Sequence, residues 1–414
     1  MEKSGKKVFI IGSDASAYSV AEKMSEINEV SEVFVAPGNN GMKDFSTVVD
    51  IRENNVRELL EFALENGIDL TVVISEIAVK NHIATVFQEN NQMIFAPTKN
   101  SAEICLSRSV CRKFMYKTRI PCPKFGIFDK SNMAIDYLKK TNMPVVVSTD
   151  EHRSKGTLLC NSFSIAKTCV EELFDTNEKK VIIDDYIFGH EFSFYVVTDG
   201  YQALPLGSVA TYKHELEGNG GLLTEGMGSF TPDYKISKQV EDKIMQQIIY
   251  PILIALEKQQ TPYVGILGID LVINDAEQLF ALEFNSFIKP ADCQGVLTLL
   301  NENIYNLFQA CVIGAFADDY EKIDIVDKYA ASCVISAKKP DTIIYGLDNL
   351  DENTSVAHFN TRKNQYLEYE TTGGNTLVLT RTARTLSKAV EDLYEEVSAV
   401  KFDGMKYRKD IAKV

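Results

Sequence analysis

The stretch Tyr263–Gln294, YVGILGIDLVINDAEQLFALEFNSFIKPADCQ, constrains this chain most, because it reads as a hairpin with charge inside its own strands. Val264 to Ile273 is apolar and β-branched, Asn274 to Glu277 is the turn, and Leu279 to Phe284 is the return strand. One carboxylate sits in each strand, Asp270 in the first and Glu283 in the second, and Asn285 follows two residues after Glu283. Alternation puts Glu283 and Asn285 on one face, and a hairpin in register brings Asp270 to the same region. Two carboxylates and an amide oxygen make an oxygen-only set that suits Mg²⁺, with Mn²⁺ as an alternative ion. The simpler reading is a buried hairpin with its acids at the solvent end; three oxygen donors at this spacing favour the metal.

The N-terminal hundred residues alternate strand and helix. Strands are expected at Val8–Ile11, Glu32–Ala36 and Leu70–Ile74, and helices at about 16–27, 56–66 and 79–89. This is the pattern of a doubly wound parallel sheet, whose ligands sit outside the carboxyl ends of the strands. Those ends are Gly12-Ser13-Asp14, Pro37-Gly38-Asn39 and Ser75-Glu76. A helix over Asn100–Thr118, capped by Asn100 or Ser101, opens the second region. An α+β lobe follows, in which Ser148–Gly156 is polar and Val181–Ile183 runs into Asp184-Asp185-Tyr186. The glycine-rich Lys213–Pro232 reads as a long loop, with Lys213 and His214 as solvated residues. Single helices are expected over 237–259 and 297–315, and a small β-rich region from Ala330 to the C-terminus. The expected division is 1–100, 101–325 with a lid lobe at about 120–188, and 326–414, in an α/β and α+β fold.

A net charge of −15 over 414 residues argues against a duplex nucleic-acid or anionic-membrane binder. The eight cysteines form no C-x-x-C pair, so reduced thiols in a cytoplasmic protein are expected. The N-terminal apolar run is too short for a signal peptide.

Several collinear stretches resemble a known family. VFVAPGNNG at 33–41 is similar to V-x-x-A-P-G-N-x-G, and FAPTKNSAEICLSRSVCRKFM at 95–115 follows F-G-P-T-x-x-A-A-x-L-E-x-S-K-x-F-x-K-x-F. TEGMGSFTP at 224–232, LEFNSF at 282–287, the tail from Gly373 and YRKDI at 407–411 continue the series. Together they resemble the ATP-grasp superfamily and, within it, glycinamide ribonucleotide synthetase (phosphoribosylamine–glycine ligase).

The resemblance implies a doubly wound N-terminal domain, an ATP-grasp nucleotide-binding region and a small β-rich C-terminal domain. It implies ATP and Mg²⁺, small-molecule carboxylate and amine substrates, and a monomer or homodimer. Asp270, Glu283 and Asn285 become the metal and catalytic set. Arg108, Ser148, Lys155, Gly156, Asp184, Asp185, Tyr186, Ile187 and Glu191 fall at nucleotide positions. Gly12, Pro37, Gly38, Asn39, Glu76, Glu225, Gly226, Met227, Lys289 and Asp292 become candidate substrate contacts.

The departures are local. The family's first loop, G-x-G-G-R-E-H-A, is Gly12-Ser13-Asp14-Ala15-Ser16-Ala17-Tyr18-Ser19 here. A strand lysine expected at ATP phosphate is Ser148, a helix lysine is Arg108, and the arginine after E-F-N is Phe287. Asp270 stands where the synthetase pattern has glycine, and G-D-P-E is replaced by Lys289-Pro290-Ala291-Asp292. The implied function is an ATP-dependent carboxylate–amine ligase acting through an acyl phosphate, including a paralogue with changed substrates. The alternative is a non-catalytic relative that binds a nucleotide or a protein.

Overall fold

A computed structural model describes residues 5–151, 157–176 and 178–413. The first sheet is parallel throughout, with its strands in the order Thr47–Val48, Val30–Pro37, Lys6–Gly12, Leu70–Val73 and Ile94–Phe95. Both faces are buried: Phe9 and Ile11 belong to one apolar cluster, Val8 and Ile10 to the other. Each cluster extends into the central sheet, the first through Phe194 and Leu267, the second through Tyr195 and Ile266. The parallel sheet is therefore fixed to the rest by shared cores. The stacked rings of Phe95 and Phe308, 4.1 Å between centroids, lie in one of these seams.

The hairpin forms as its sequence predicts, Val264–Ile273 pairing with Leu279–Asn285. Asp270 lies opposite Glu283, and Gly268 opposite Asn285, so all three polar side chains share a face. Register slips by one residue after Asp270, and the bulged Leu282 gives its carbonyl to Arg112 Nη1 instead of to the ladder. The hairpin is the edge of a nine-stranded sheet. That sheet continues through His190–Asp199, Ala203–Thr211, Gly228–Thr231, Tyr329–Ala337 and Gly374–Ala383 to Ser355–His358, with Met405–Lys406 also pairing to Tyr329–Ala337. It thus crosses residue 326 without a break. The helix Leu386–Ala399 packs Ala389, Leu393 and Val397 against its far half. A separate four-stranded sheet, with Phe125–Phe128, Val181–Asp185, Val145–Thr149 and Thr157–Cys160 in that order, forms the lid lobe.

Four helix expectations need correction. The helix expected over 100–118 is two, Lys99–Leu106 and Arg108–Thr118. Ser107 between them is extended (φ −139°, ψ 122°) and caps the second helix through Val110 N–H, while Thr98 caps the first. The helix expected over 79–89 is broken at His82, which is left-handed (φ 64°). The helix expected over 237–259 carries a π turn at Met245–Ile249, and the one expected over 297–315 is Ile304–Ile313, with Leu297 to Leu299 closing a separate helix, Pro290–Leu299.

The glycine-rich 213–232 stretch is not a loop. His214–Leu216 and Gly220–Leu223 form a hairpin, and Gly228–Thr231 is a central strand of the large sheet. The tail holds that hairpin. Arg408, 1% exposed, ion-pairs with Asp410, donates to the His214 carbonyl at 3.0 Å and lies over the Tyr212 ring.

All eight cysteines are free thiols. No helix among the described residues is long and apolar enough to cross a membrane.

Candidate functional site

The parallel sheet, the hairpin and the lid meet around a cleft of about 950 Å³. Its floor is the polar face of the hairpin. Asp270 is 4% exposed, and burial alone would push its carboxyl up. Lys213 and Lys289 outweigh that and hold it at about 2. Lys289 Nζ reaches both carboxylate oxygens, at 2.6 and 2.5 Å, and Lys213 Nζ lies 3.3 Å from Oδ2. Ser193 Oγ donates a further bond at 2.8 Å. Burial opposes the charge of Lys213, but Asp270, Glu191 and Glu283 hold its pKa above the usual lysine range. Across the strand, Glu283 accepts from Arg108 Nε at 2.6 Å. Three cations, Arg108, Lys213 and Lys289, thus meet three carboxylates, Asp270, Glu283 and Glu191, the last 3.6 Å from Lys213 Nζ, so the floor holds fixed ammonium and guanidinium groups at little net charge.

Local sequence explains these positions. The break at Ser107 starts a fresh helix at Arg108. Asp150 from the lid accepts from Ser107 Oγ and Ser109 N, both at 2.8 Å, and from Lys180 at 3.1 Å. Arg112, one turn after Arg108, forms a bidentate pair with Asp184 at 2.7 and 2.9 Å. That buried pair ties the lid strand to the hairpin. The chain turns out of the lid at Asp185–Ile187, which lines the cleft. Gly189 must be glycine there, since a Cβ would fall 2.3 Å from the Ile273 carbonyl.

Several buried polar atoms facing the cleft lack partners among the described residues: Ser148 Oγ, Thr157 Oγ1, Asp185 Oδ1 and Asn285 Nδ2. Such atoms are rare unless a ligand completes them. An amide rotation at Asn285 would present its oxygen beside Glu283, and these two residues fit a divalent ion. Asp270 differs, because both its oxygens are held by ammonium groups that an ion would have to displace.

The comparisons with known proteins cover almost the whole chain. Residues 6–105 match the model of the phosphoribosylglycinamide synthetase N domain, 106–293 its ATP-grasp (A) domain, and 334–414 its C domain. The phosphoribosylamine–glycine ligase of Clostridium acetobutylicum is 30% identical, with 98% of this chain and 99% of that one covered. This chain belongs to the phosphoribosylglycinamide synthetase family. The ligase of Neisseria meningitidis serogroup B is 28% identical over 98% of both chains. The crystal structure of the Thermotoga maritima phosphoribosylamine–glycine ligase shares the fold, with a TM-score of 0.82 at 23% identity over 98% of this chain and 100% of that one. A biotin carboxylase from Campylobacter jejuni, solved with a β,γ-ATP complex, has a TM-score of 0.74 at 12% identity over 97% and 93%.

Within this family fold, the cleft gathers Arg108, Ser148, Asp184, Asp185, Tyr186, Ile187, Glu191, Asp270, Glu283, Asn285 and Lys289, together with Glu76 and Glu225. Lys155 and Gly156 lie outside the described residues. Other expected substrate contacts have structural work instead. Asp292 is fully buried and accepts from Tyr195 and Thr211 at 2.7 and 2.9 Å. Pro37 and Gly38 build a turn away from the cleft, where Asn39 Nδ2 donates to the Ser13 and His358 carbonyls. Gly12 lies against Ala17, Met227 is buried, and Gly226 has φ +127° with Ala291 2.7 Å from where its Cβ would be.

Arg112 was missed, and Lys213, read from sequence as a solvated residue, instead turns inward to pair with Asp270. A signal for Lys213 was Gly218-Asn219, both left-handed in the turn Glu217–Asn219 that folds the glycine-rich stretch back on itself. For Arg112 it was the four-residue spacing from Arg108.

Proposed function

We propose that this chain is an ATP-dependent ligase that joins a carboxylate to an amine. The observation that carries the reading is the set of cations Arg108, Lys213 and Lys289 held on the cleft floor by Glu283, Glu191 and Asp270, in a chain that matches the family over nearly its full length. The γ-phosphoryl group of ATP passes to a carboxylate oxygen, which breaks its bond to ADP. The amine nitrogen then attacks the carbonyl carbon of the acyl phosphate. A C–N bond forms, the C–O bond to phosphate breaks with its electron pair leaving on phosphate, and the nitrogen releases a proton.

Such transfer needs positioning and charge neutralisation more than a protein nucleophile. Arg108, Lys213 and Lys289 hold the transferring phosphoryl oxygens in a low-dielectric floor. Asp270 aims the two lysines. Asp185 to Ile187 and Glu191 border the nucleoside end, and the unpartnered Ser148 hydroxyl is available to a phosphate. Mg²⁺ at Glu283 and Asn285 would neutralise phosphate charge. The substrates are small molecules, and the site of action proposed is the cytoplasm.

The names of the relatives, ligases and carboxylases, give the non-catalytic alternative no support. Thermal stabilisation by Mg-ATP tests the reading. At about a hundred times its dissociation constant, Mg-ATP should add about 2.7 kcal/mol of stability. ADP release across a panel of acids and amines then reads turnover, and no Mg-ATP shift would sink the proposal.

A further inference from the structure

Lys289 Nζ reaches both oxygens of Asp270, but the residue itself stands at a junction. It lies between the return strand of the hairpin and the helix Pro290–Leu299, at the N-cap position. A lysine side chain has no acceptor to offer there, and that of Lys289 does not cap the helix. Its carbonyl accepts from Asp292 and Cys293 N–H, both at 2.9 Å. Its own N–H donates to Tyr195 Oη at 3.3 Å. The peptide that leads into Lys289 is thus anchored by a phenol oxygen on another strand.

Tyr195 lies on the strand His190–Asp199 and is fully buried. It sits opposite Gly268, which in turn sits opposite Asn285. A Cβ at Gly268 would fall 2.6 Å from Tyr195 Cε1, so only glycine lets the ring cross the hairpin here. Tyr195 Oη donates to Asp292 Oδ2 at 2.7 Å, and Thr211 Oγ1 donates to the same carboxylate at 2.9 Å. Burial, and after it Asp292, raises the phenol well above its ordinary range, so the hydroxyl keeps its proton. That one proton goes to Asp292 and leaves a lone pair for the Lys289 N–H. Asp292, fully buried, ties three pieces together: the helix after Lys289, the strand of Tyr195, and Thr211, which stands two residues before Lys213. Ser193, two residues before Tyr195, bonds Asp270 itself. One strand therefore holds both partners of the Lys289–Asp270 pair.

We propose that Tyr195 is a positioning residue of the phosphoryl transfer. Its hydroxyl, oriented by Asp292, sets the Lys289 main chain so that Nζ stands beside Asp270, where the transferring group is held. The proposal rests on the ligase reading above. Neither Tyr195 nor Asp292 touches the reacting atoms; each acts through Lys289. A small misplacement of such a group is costly, because the charge must already be in place when the phosphoryl group moves.

In full-length protein, Tyr195→Phe keeps the ring and removes the hydroxyl. A pulse of acetic anhydride, read by peptide mass spectrometry, should acetylate Lys289 several times faster in this variant and the exposed Lys339 at the wild-type rate. ADP release with glycine and phosphoribosylamine, the pair in the relatives' names, should lose about tenfold in kcat, with KM for ATP within about twofold of wild type. In a Lys289→Ala background, Tyr195→Phe should cost nothing further, whereas a hydroxyl that only supports the fold would cost the same factor in both backgrounds. Asp292→Asn should act in the same direction, and carries the test if Tyr195→Phe does not fold. Unchanged Lys289 acetylation, or losses that multiply in the double variant, would overturn the proposal. Absence of a Mg-AMPPNP thermal shift in the wild-type protein overturns the ligase reading instead, and the acetylation rates still decide whether Tyr195 places Lys289.

Discussion

At the hairpin end of the cleft, Asp270 and Glu283 are each matched by cations at hydrogen-bond distance. At the parallel-sheet end, Asp14 and Glu53, partly buried, and the exposed Glu225 line the cleft with no ion pair among the described residues. Burial pushes both the Asp270 and the Asp14 carboxyl up, and the neighbouring charges decide the outcome. Where lysines are held in place, the carboxyl is pulled down to about 2; where only other acids are near, it is pushed up to about 6. A charge already compensated by the protein serves to position its partners.

The largest expected break in this contrast is at Lys213. Lys213→Ala should lower the rate of ADP release about 100-fold or more, as loss of a preorganised charge at a transferring group does. Circular dichroism should show the fold unchanged; unaltered turnover would remove Lys213 from the floor. Next, Asp270→Asn leaves two ammonium groups facing each other and should cost about 3–5 kcal/mol in urea unfolding. Arg112→Met leaves Asp184 unpaired and should cost a similar amount, whereas Arg112→Met with Asp184→Leu should recover most of it. A double variant as unstable as the single one would show that the pair does not act as a unit.

The pH dependence separates the two ends by sign. The Asp270 carboxyl lies below its ordinary value of 3.8, so its contribution is present above that pH and is lost as pH falls towards 2. The Asp14 carboxyl lies above its ordinary value of 3.8, so a stability cost builds as pH rises through about 4, is complete above about 6, and is absent below about 4. Asp14 caps the helix Ala15–Ser25 through Ser16 and Ala17 N–H, and asparagine also caps helices well. Asp14→Asn should therefore gain about 1–2 kcal/mol at pH 7.5, a gain that disappears by pH 4 in melts across that range. A gain independent of pH would mean that the carboxyl charge is not its source. The smallest effect should be at Ser107: its alanine variant loses a cap worth about 1 kcal/mol, read as a lower melting temperature.

Much of the hairpin end was legible in the sequence. Alternation alone put Glu283 and Asn285 on one face, and the Asp270–Glu283 register followed from two matched strands. What those groups touch was not legible, since Lys213 lies 57 residues from Asp270 along the chain. Long-range ion pairs leave no periodic trace. The Ser107 break was hidden because a serine that can cap a new helix also sits without penalty inside a continuous pattern. The Pro37–Asn39 turn shows the reverse case: residues shared with a family can be kept by packing and backbone geometry. The acidic end was legible as a departure at Ser13 to Ser19, but only the fold brings Glu53 and Glu225 beside Asp14.

The large sheet passes from the hairpin to the C-terminal strands through Gly228–Thr231, which pairs with Ala203–Thr211 on one side and Tyr329–Ala337 on the other. A cut near residue 326 would therefore not release a clean module. It would strip one flank of Gly228–Thr231 and leave a row of backbone donors and acceptors open to any passing strand. The fragment would be prone to self-association, and the tail's grip on the Lys213 hairpin would go with it. In shuffling terms, the last third of this chain cannot be exchanged as a cassette: its partner would have to inherit both the strand edge and the arginine clamp.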